Sequence, residues 1–211
     1  MQEQILLGDN SKDLLYNNKP IILDMKNHEL YDFSIQFKKD NELDSIKEVV
    51  KFTSNMANKF NVPIDKMYFG GSEKEILLRG TDWCFDLARL SLVILESIVI
   101  PSRFVFVANR EKAYFGHTLL ECFYEKNYGL VDQTYWYVFY DKTPISAKDI
   151  SNSKLLKELD IDYQNYFESI AIAEYNPIDK NNKYIISKCN EYTYKLNSMK
   201  QDGTWLLNVE K

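Results

Sequence analysis

The chain has 211 residues, with 26 lysines and arginines against 31 aspartates and glutamates, and a formal charge of −5. This length fits one domain with a sizeable core. Acidic and basic residues are mixed along the sequence, so no basic stripe of the kind that phosphate backbones require is present, and we expect no nucleic-acid partner.

The first forty residues show short candidate strands and one clear helix follows them. "PIILDM" (20–25) and "YDFSIQFKK" (31–39) are candidate strands, the second because apolar and polar residues alternate in it. From Asn41 the spacing predicts an amphipathic helix up to about residue 60, where "NVP" stops it. Its apolar positions are Leu43, Ile46, Val49, Val50, Thr53, Met56, Ala57 and Phe60.

A second helix is predicted over residues 83–97, after turn glycines at positions 70, 71 and 80 and with Asp82 as its N-cap. It is apolar on most of its surface, which is typical of a helix buried among other elements. The run "LARLSLVILESIVI" is shorter than the roughly 20 residues that span a bilayer and is interrupted by charged and polar residues. We therefore expect the centre of the domain here and no membrane association.

Three aromatic and β-branched runs follow, "SRFVFVAN", "GHTLLECFYE" and "YGLVDQTYWYVFY", and they predict an antiparallel meander. Two helical patterns complete the chain, "SKLLKELDIDYQNYFESIAIAEY" and "NKYIISKCNEYTYKLNSM", and we expect both to pack over the core. The domain prediction is one domain over 1–211, with a core at about 41–145 and a helical C-terminal extension at 146–211.

Compartment and metal use follow from short signals. The first twenty residues lack a basic region followed by a long apolar one, so we expect no secretory signal and a cytoplasmic location. The three cysteines are odd in number and widely spaced, which suits a reducing compartment. There is no CxxC or HExxH, and the two histidines lie far apart, so we expect no metal and no cofactor.

Cys84 lies where a thiol gains reactivity. Cysteine is nucleophilic as the thiolate, which a helix N-terminus favours through its unpaired N–H groups and its dipole. If Asp82 caps the helix, Cys84 lies in the first turn and its own N–H can bind an oxyanion. The alternative is a buried apolar role, which is common for cysteine and which we assign to Cys122 and Cys189.

The stretch "HTLLECFYEKNYGLVDQT" supplies a base and an acceptor that could orient it. If its turn has an even number of residues, Asp132 lies opposite Leu119 or Glu121, and both registers put His117 and Asp132 on one sheet face. Cys122 then lies on the other face. We expect the face with His117 and Asp132 to point toward the start of the Cys84 helix.

Ordinary structural roles fit the same residues taken one at a time. His117 alone fits a hydrogen-bonded strand residue, and Asp132 alone fits the end of a strand at a turn. The other histidine, His28, fits a solvated loop residue. The run "TYWYVFY" directly after Asp132 fits either the lining of a cleft or core filler.

The order and spacing of several motifs resemble the catalytic core of the transglutaminase-like superfamily. That superfamily typically shows a glycine shortly before a catalytic cysteine at a helix start, then "GIPaR", "H-a-w-v-E-v-y" and "W-v-x-l-D-p-t". The corresponding stretches here are "GTDWCFDLARL", "VIPSRFVFV", "HTLLECFY" and "YGLVDQT", within about residues 80–135. The matching positions are Gly80, Cys84, Pro101, Arg103, His117, Glu121, Tyr128, Asp132 and Thr134.

The resemblance implies a papain-like α+β fold, with the cysteine helix packed on an antiparallel sheet. It also implies roles for three residues: Cys84 as nucleophile, His117 as general base and then acid, and Asp132 as the group that orients His117. None of the departures from the pattern removes a catalytic atom, and a side-chain donor to the oxyanion is not identified. The departures are Val99 for a glycine, Leu119 and Tyr128 for tryptophans, and Gln133 for a proline.

The expected function is therefore hydrolysis of an amide through a thioester acyl-enzyme, by a cysteine peptidase or amidase. The substrate is a peptide, a protein or a small amide. An amine-accepting acyltransferase is the alternative. Hydrolysis is favoured because the sequence does not suggest the additional β-domains or calcium sites that the resemblance associates with large crosslinking transglutaminases. A rival of another class is a non-catalytic binding module that retains the fold.

Overall fold

The computed structural model describes residues 4–56, 70–109 and 116–175. Within them, helices and an antiparallel sheet form an α+β fold, as predicted. The helices are α1 (Lys12–Tyr16), α2 (Tyr31–Ser34), α3 (Glu42–Ser54), α4 (Glu73–Arg79), α5 (Cys84–Ser97), α6 (Lys154–Lys157) and α7 (Ile161–Gln164). The strands are β1 (Ile5–Leu6), β2 (Ser102–Ala108), β3 (Gly116–Tyr124), β4 (Asn127–Asp132), β5 (Tyr137–Val138), β6 (Tyr140–Asp141), β7 (Thr143–Pro144) and β8 (Ser169–Ala173).

The main sheet has six strands in the order β1-β8-β2-β3-β4-β5, and all neighbours are antiparallel. The predicted meander is present as β2 to β5. Between β3 and β4 only Glu125 and Lys126 form the turn, with φ of 49° and 65°. Positive φ at both central residues is what a type I′ hairpin turn requires. The turn therefore has the even number of residues that the alternation argument needs.

Strand β8 corrects the prediction of one long helix over residues 153–175. The segment instead forms α6, α7, a 3-10 turn (Asn165–Glu168) and then β8, which lies between β1 and β2. All five residues of β8 are buried. A strand that is buried on both faces loses the apolar and polar alternation that distinguishes strands from helices. The sheet thus includes strands from both sides of the predicted 41–145 core.

Helix α5 begins at Cys84, and its N-cap is Trp83 rather than the predicted Asp82. Asp82 is exposed. The Thr81 hydroxyl accepts a hydrogen bond from the Trp83 N–H and donates one to the Asp86 carboxylate, each at 3.2 Å. Because Thr81 already holds the chain entering the helix, the side chain of Asp82 remains in solvent.

Helix α5 ends at Ser97, and Val99 follows with φ of 68°. The Val99 N–H donates to the Glu96 carbonyl, and the Ile100 N–H donates to the Leu95 carbonyl. This backbone suits glycine and is strained for a β-branched residue. Val99 therefore adopts, in this turn, a conformation suited to the glycine that the resemblance expects at its position.

Both strands predicted before residue 40 are wrong. Residues 20–25 form no strand, and residues 31–39 form α2 and a 3-10 turn (Ile35–Phe37). In a strand, Phe33, Ile35 and Phe37 would share one face. Here Ile35 is 42% exposed, whereas Phe33 and Phe37 meet one helical turn apart and both contact Phe52 of α3. The predicted helix from Asn41 is confirmed as α3, with Asn41 as its N-cap, but it ends at Ser54 rather than near residue 60.

The main sheet separates two hydrophobic clusters. On one face, α3 and α5 pack against residues that include Phe104, Leu120 and Cys122. On the other face, Leu119 and its neighbours pack against a group from the C-terminal segment that includes Tyr163. Successive residues of β3 therefore belong to different cores.

Candidate active site

The chain that enters α5 is held by Asp86, two residues after Cys84. Asp86 Oδ2 accepts hydrogen bonds from the Gly70 N–H at 3.0 Å, the Arg79 guanidinium at 2.6 Å and the Thr81 hydroxyl. Burial raises the pKa of the Asp86 carboxyl, and these partners oppose that effect. The cluster fixes the loop from which Cys84 is presented.

Cys84 is the first residue of α5 and is half-buried. Its side chain lies close enough to the imidazole of His117 to raise the pKa of that imidazole. The N-cap Trp83 makes no side-chain hydrogen bond to the helix. The first N–H groups of α5 therefore have no cap from that side chain, and a helix N-terminus of this kind favours negative charge.

His117 lies near the start of β3, and Asp132 is the last residue of β4. The distance from His117 Nε2 to Asp132 Oδ2 is 2.8 Å. The register pairs Leu120 with Val131, and one step further it sets Asp132 beside Leu119, which is the first of the two registers that the sequence left open. Because Nε2 faces Asp132, Nδ1 is the ring nitrogen left for Cys84.

Asp132 is fully buried and hydrogen-bonded through both carboxylate oxygens. Oδ2 accepts the Tyr163 hydroxyl at 2.7 Å as well as His117. Oδ1 accepts the backbone N–H groups of Thr134 at 2.8 Å and Tyr135 at 3.1 Å. A buried carboxylate needs such partners, and these four hold it in one orientation.

The electrostatic surroundings keep His117 protonated. Burial alone would lower its pKa, but the Asp132 carboxylate, and after it the Cys84 side chain, outweigh burial and raise the pKa of His117 to about 10. A protonated imidazole donates from both ring nitrogens.

His117 and Asp132 share a sheet face, as the alternation predicts, but it is not the face on which α5 packs. Leu119, on the same face, belongs to the core beneath the C-terminal segment, and Cys122 belongs to the core around α5. The expectation concerned the start of the Cys84 helix, and His117 does lie beside Cys84 there, whereas the rest of α5 packs on the opposite face. Cys84 reaches His117 because it is the first residue of α5, at the end of the helix where β3 begins.

Gln133 joins that helix start to β3. Its side chain is fully buried, and Nε2 donates to the Thr118 carbonyl at 2.8 Å and to the Cys84 carbonyl at 3.3 Å. Oε1 has no hydrogen-bond partner among the described residues. A proline at this position, as in the resemblance, has no side-chain donor and can make neither bond. The departure at Gln133 thus links the backbones beside Cys84 and His117.

Tyrosines surround the imidazole. The rings of Tyr135 and Tyr166 lie 5.5 and 5.4 Å from that of His117, between centroids, and the two tyrosine side chains are hydrogen-bonded to each other. In the aromatic run after Asp132, Tyr135 contacts His117 whereas Phe139 is core. No sequence signal indicated Tyr163 or Tyr166, because both come from a segment with a helical pattern, far along the chain.

Cys122 and the other histidine lie apart from this group. Burial is the largest cause that raises the pKa of Cys122 to about 12, and Cys189 lies outside the described residues. His28 is buried, not solvated as predicted, because it packs against the buried carboxylate of Glu73, with 3.5 Å between Nε2 and Oε2. The same carboxylate binds Arg89 at 2.7 Å.

In residues 4–56, 70–109 and 116–175, no three His, Cys, Asp or Glu side chains are grouped so as to hold a metal ion. No helix in the same ranges is long and apolar enough to cross a membrane.

Comparisons with known proteins find one distant structural likeness. No protein-family model matches the sequence, and no curated protein matches it. The crystal structure of a "Putative Cysteine Protease" from Cytophaga hutchinsonii is similar over 61% of this chain, with 18% sequence identity and a TM-score of 0.40. The chain spans less than half of that protein, 43% of its length. At this TM-score the likeness indicates neither a shared fold nor a shared function.

Proposed function

We propose that the protein is a cysteine hydrolase of amide bonds with a transglutaminase-like, papain-like active site. In this proposal Cys84 is the nucleophile, His117 is the acid and base, and Asp132 orients His117. One observation carries the proposal: the His117 imidazole lies 2.8 Å from the Asp132 carboxylate and close enough to the Cys84 side chain for that side chain to raise its pKa. A nucleophile that contacts a base, with the base oriented by a third group, is the pattern of covalent catalysis.

The first half of the reaction forms an acyl-enzyme. The Cys84 thiolate attacks the amide carbonyl carbon, and the carbonyl oxygen becomes an oxyanion that the N–H groups at the start of α5 can bind. When the tetrahedral intermediate collapses, the C–N bond breaks and the His117 imidazolium gives its proton to the departing amine. The products are a free amine and a thioester on Cys84.

The second half returns the enzyme to its starting state. Water attacks the thioester carbonyl and gives a proton to the neutral His117 imidazole. Collapse of the second intermediate breaks the C–S bond and releases a carboxylic acid and the Cys84 thiolate beside a protonated imidazole. The sum is an amide plus water giving an acid and an amine.

The pKa of about 10 for His117 sets a limit on turnover at high pH. The imidazolium must protonate the leaving amine, and its protonated fraction falls as the pH rises through about 10. Turnover should therefore decline above that pH, and Asp132→Asn, which removes a cause of the raised pKa, should move the decline to lower pH. A pH–rate profile from pH 6 to 11, recorded for the wild type and for Asp132→Asn, measures this decline in each protein.

The primary test is selective alkylation. Iodoacetamide at pH 7, followed by peptide mass spectrometry, should modify Cys84 well before Cys122, whose thiol is fully buried, and before Cys189. His117→Ala should slow modification of Cys84 by about 10- to 30-fold, because an unassisted thiol with a pKa of about 8.5 is only about 3% thiolate at pH 7. At pH 10 the variant and the wild type should react at similar rates.

The matched control is His28→Gln, which changes the only other histidine without touching Cys84. It should leave the alkylation of Cys84 unchanged. Equally slow modification of all three cysteines, or a His117→Ala chain that reacts as fast as the wild type at pH 7, would refute the proposed activated thiol.

Hydrolysis and acyl transfer are separated by the fate of the thioester. Short peptide amides are incubated with the protein, with and without a primary amine, and the products are weighed by mass spectrometry. Acid products in both mixtures support hydrolysis. Products that contain the added amine would replace hydrolysis with amine-accepting acyl transfer.

A further inference from the structure

Tyr163 donates to the same carboxylate oxygen as His117 but has no part in the steps above. Its hydroxyl lies 2.7 Å from Asp132 Oδ2, and His117 Nε2 lies 2.8 Å from that same atom. Tyr163 is buried, and its ring packs edge-on against Tyr135 and Tyr137. The hydroxyl is therefore aimed at Asp132 by a ring that is held on several sides.

We propose that Tyr163 is a positioning residue of the active site, whose hydroxyl sets through Asp132 how firmly the His117 imidazole holds its proton. The inference rests on the proposed function for its catalytic meaning. The physical coupling between the three side chains rests only on their contacts.

The coupling has a definite direction. While His117 is protonated, its charge partly neutralises Asp132, so the carboxylate accepts the Tyr163 hydroxyl less strongly. When His117 is neutral, the full carboxylate charge is left and the hydrogen bond from Tyr163 strengthens, as hydrogen bonds to charged groups do. Tyr163 thus stabilises the neutral form of His117. Loss of the hydroxyl should make the imidazole hold its proton more tightly.

The other titratable groups near His117 and Tyr163 do not couple the two side chains as Asp132 does. Burial, then Asp132, raises the pKa of Tyr163 well above its usual range, so its hydroxyl stays a donor throughout the working range. Tyr166 is likewise a neutral phenol, with burial as the first cause of a pKa of about 12. The groups that face His117 or Tyr163 are Cys84 on α5, Asp132 on β4, Tyr135 after β4, Tyr137 on β5 and Tyr166 after α7. Within this set only Asp132 is hydrogen-bonded to both.

The test measures His117 directly by NMR titration of its imidazole. The sequence has only two histidines, so a His28→Gln spectrum assigns the signals. Tyr163→Phe should raise the midpoint of His117 by about 0.5 to 1 pH unit, a fraction of what a hydrogen bond to a charged group is worth. The matched control is Tyr16→Phe, which removes a hydroxyl bonded at 2.7 Å to another buried carboxylate, that of Glu121. It should leave the midpoint of His117 within about 0.2 unit.

A second variant keeps the hydroxyl and reverses the sign. Site-specific replacement of Tyr163 by 3-fluorotyrosine retains the ring and makes the phenol more acidic, hence a stronger donor to Asp132. It should lower the midpoint of His117. This variant decides the question if Tyr163→Phe does not fold. Unchanged midpoints, or shifts of the same sign in both variants, would overturn the proposal.

The same titrations in a Cys84→Ala chain separate this inference from the proposed function. That chain has no nucleophile, yet the shifts caused by Tyr163 should persist because they pass through Asp132. If the shifts persist while Cys84 proves unreactive toward iodoacetamide in the wild type, the proposed function fails and the coupling stands. If Cys84 is reactive and the shifts are absent, the role of Tyr163 fails alone.

Discussion

Replacement of Gln133 by methionine isolates the link between the start of α5 and β3. Methionine keeps the length and nearly the volume of glutamine but has no donor. The variant removes the hydrogen bonds from Nε2 to the Thr118 carbonyl at 2.8 Å and to the Cys84 carbonyl at 3.3 Å. It also removes Oε1, which has no partner among the described residues.

The magnitude follows from these two bonds. A neutral hydrogen bond contributes about 1 kcal/mol net, and the one at 3.3 Å exceeds the usual range and contributes less. Loss of the unpaired Oε1 offsets part of that cost. We expect the free energy of unfolding to fall by about 1 kcal/mol, or about 2–4 °C in Tm for a chain of this size. The alkylation rate of Cys84 should fall by about 3- to 10-fold, since one lost bond loosens the position of its backbone.

The assay pairs urea unfolding with iodoacetamide modification of Cys84 at pH 7, and Gln133→Glu is the matched comparison. Glutamate has the same shape, but it would bury a carboxylate against two carbonyl oxygens with no donor between them. We expect Gln133→Glu to destabilise the fold by at least about 3 kcal/mol. A Gln133→Glu chain as stable as the wild type, or a Gln133→Met chain with unchanged alkylation, would refute the donor role of the amide.

Two further substitutions test the fold. Val99→Gly should raise the free energy of unfolding by up to about 1 kcal/mol. The φ of 68° costs a β-branched residue about 1–2 kcal/mol, and the larger entropy of glycine in the unfolded chain offsets part of the gain. A loss of stability in urea unfolding would contradict the strain argument. Gly129→Ala should destabilise by about 1–3 kcal/mol, since the new Cβ would lie 2.6 Å from Tyr124 Cε1. In its control, Gly8→Ala, the new Cβ would have no atom within 4 Å, so stability should change by less than about 0.5 kcal/mol.

Local patterns predicted the elements that carry the candidate site. The apolar surface of α5 indicated a buried helix that starts near Cys84, and alternation along the hairpin put His117 and Asp132 on one face. Both conclusions depend on periods of 3.6 and 2 that are properties of the backbone alone. The prediction of Asp82 as N-cap failed by one residue, because Thr81 holds the entering chain and contacts Asp86.

Patterns failed where a segment is buried on all sides or folds back on a distant neighbour. Because β8 is buried on both faces, it shows no alternation of polar and apolar residues that would distinguish it from a buried helix. His28 looks like a loop residue and is buried, because its partner Glu73 lies on α4, beyond α3 in the chain. Neither the burial of β8 between two strands nor the contact of His28 with Glu73 can be recognised from a short stretch of sequence.

Local sequence patterns were sufficient to predict which side chains of the hairpin share a face and that Cys84 stands near a helix start. Tertiary packing alone shows that α5 covers the face opposite His117 and that Cys84 still lies beside the imidazole at the end of the helix. It also shows that Gln133 bonds to the Cys84 and Thr118 carbonyls and that Tyr163 bonds to Asp132. Backbone periodicity acts between residues a few positions apart, whereas the bonds that join Asp132 to His117 and Tyr163, and Gln133 to Cys84, link residues 15 to 49 positions apart. The catalytic roles of Cys84, His117 and Asp132 stay predictions that alkylation and titration can test.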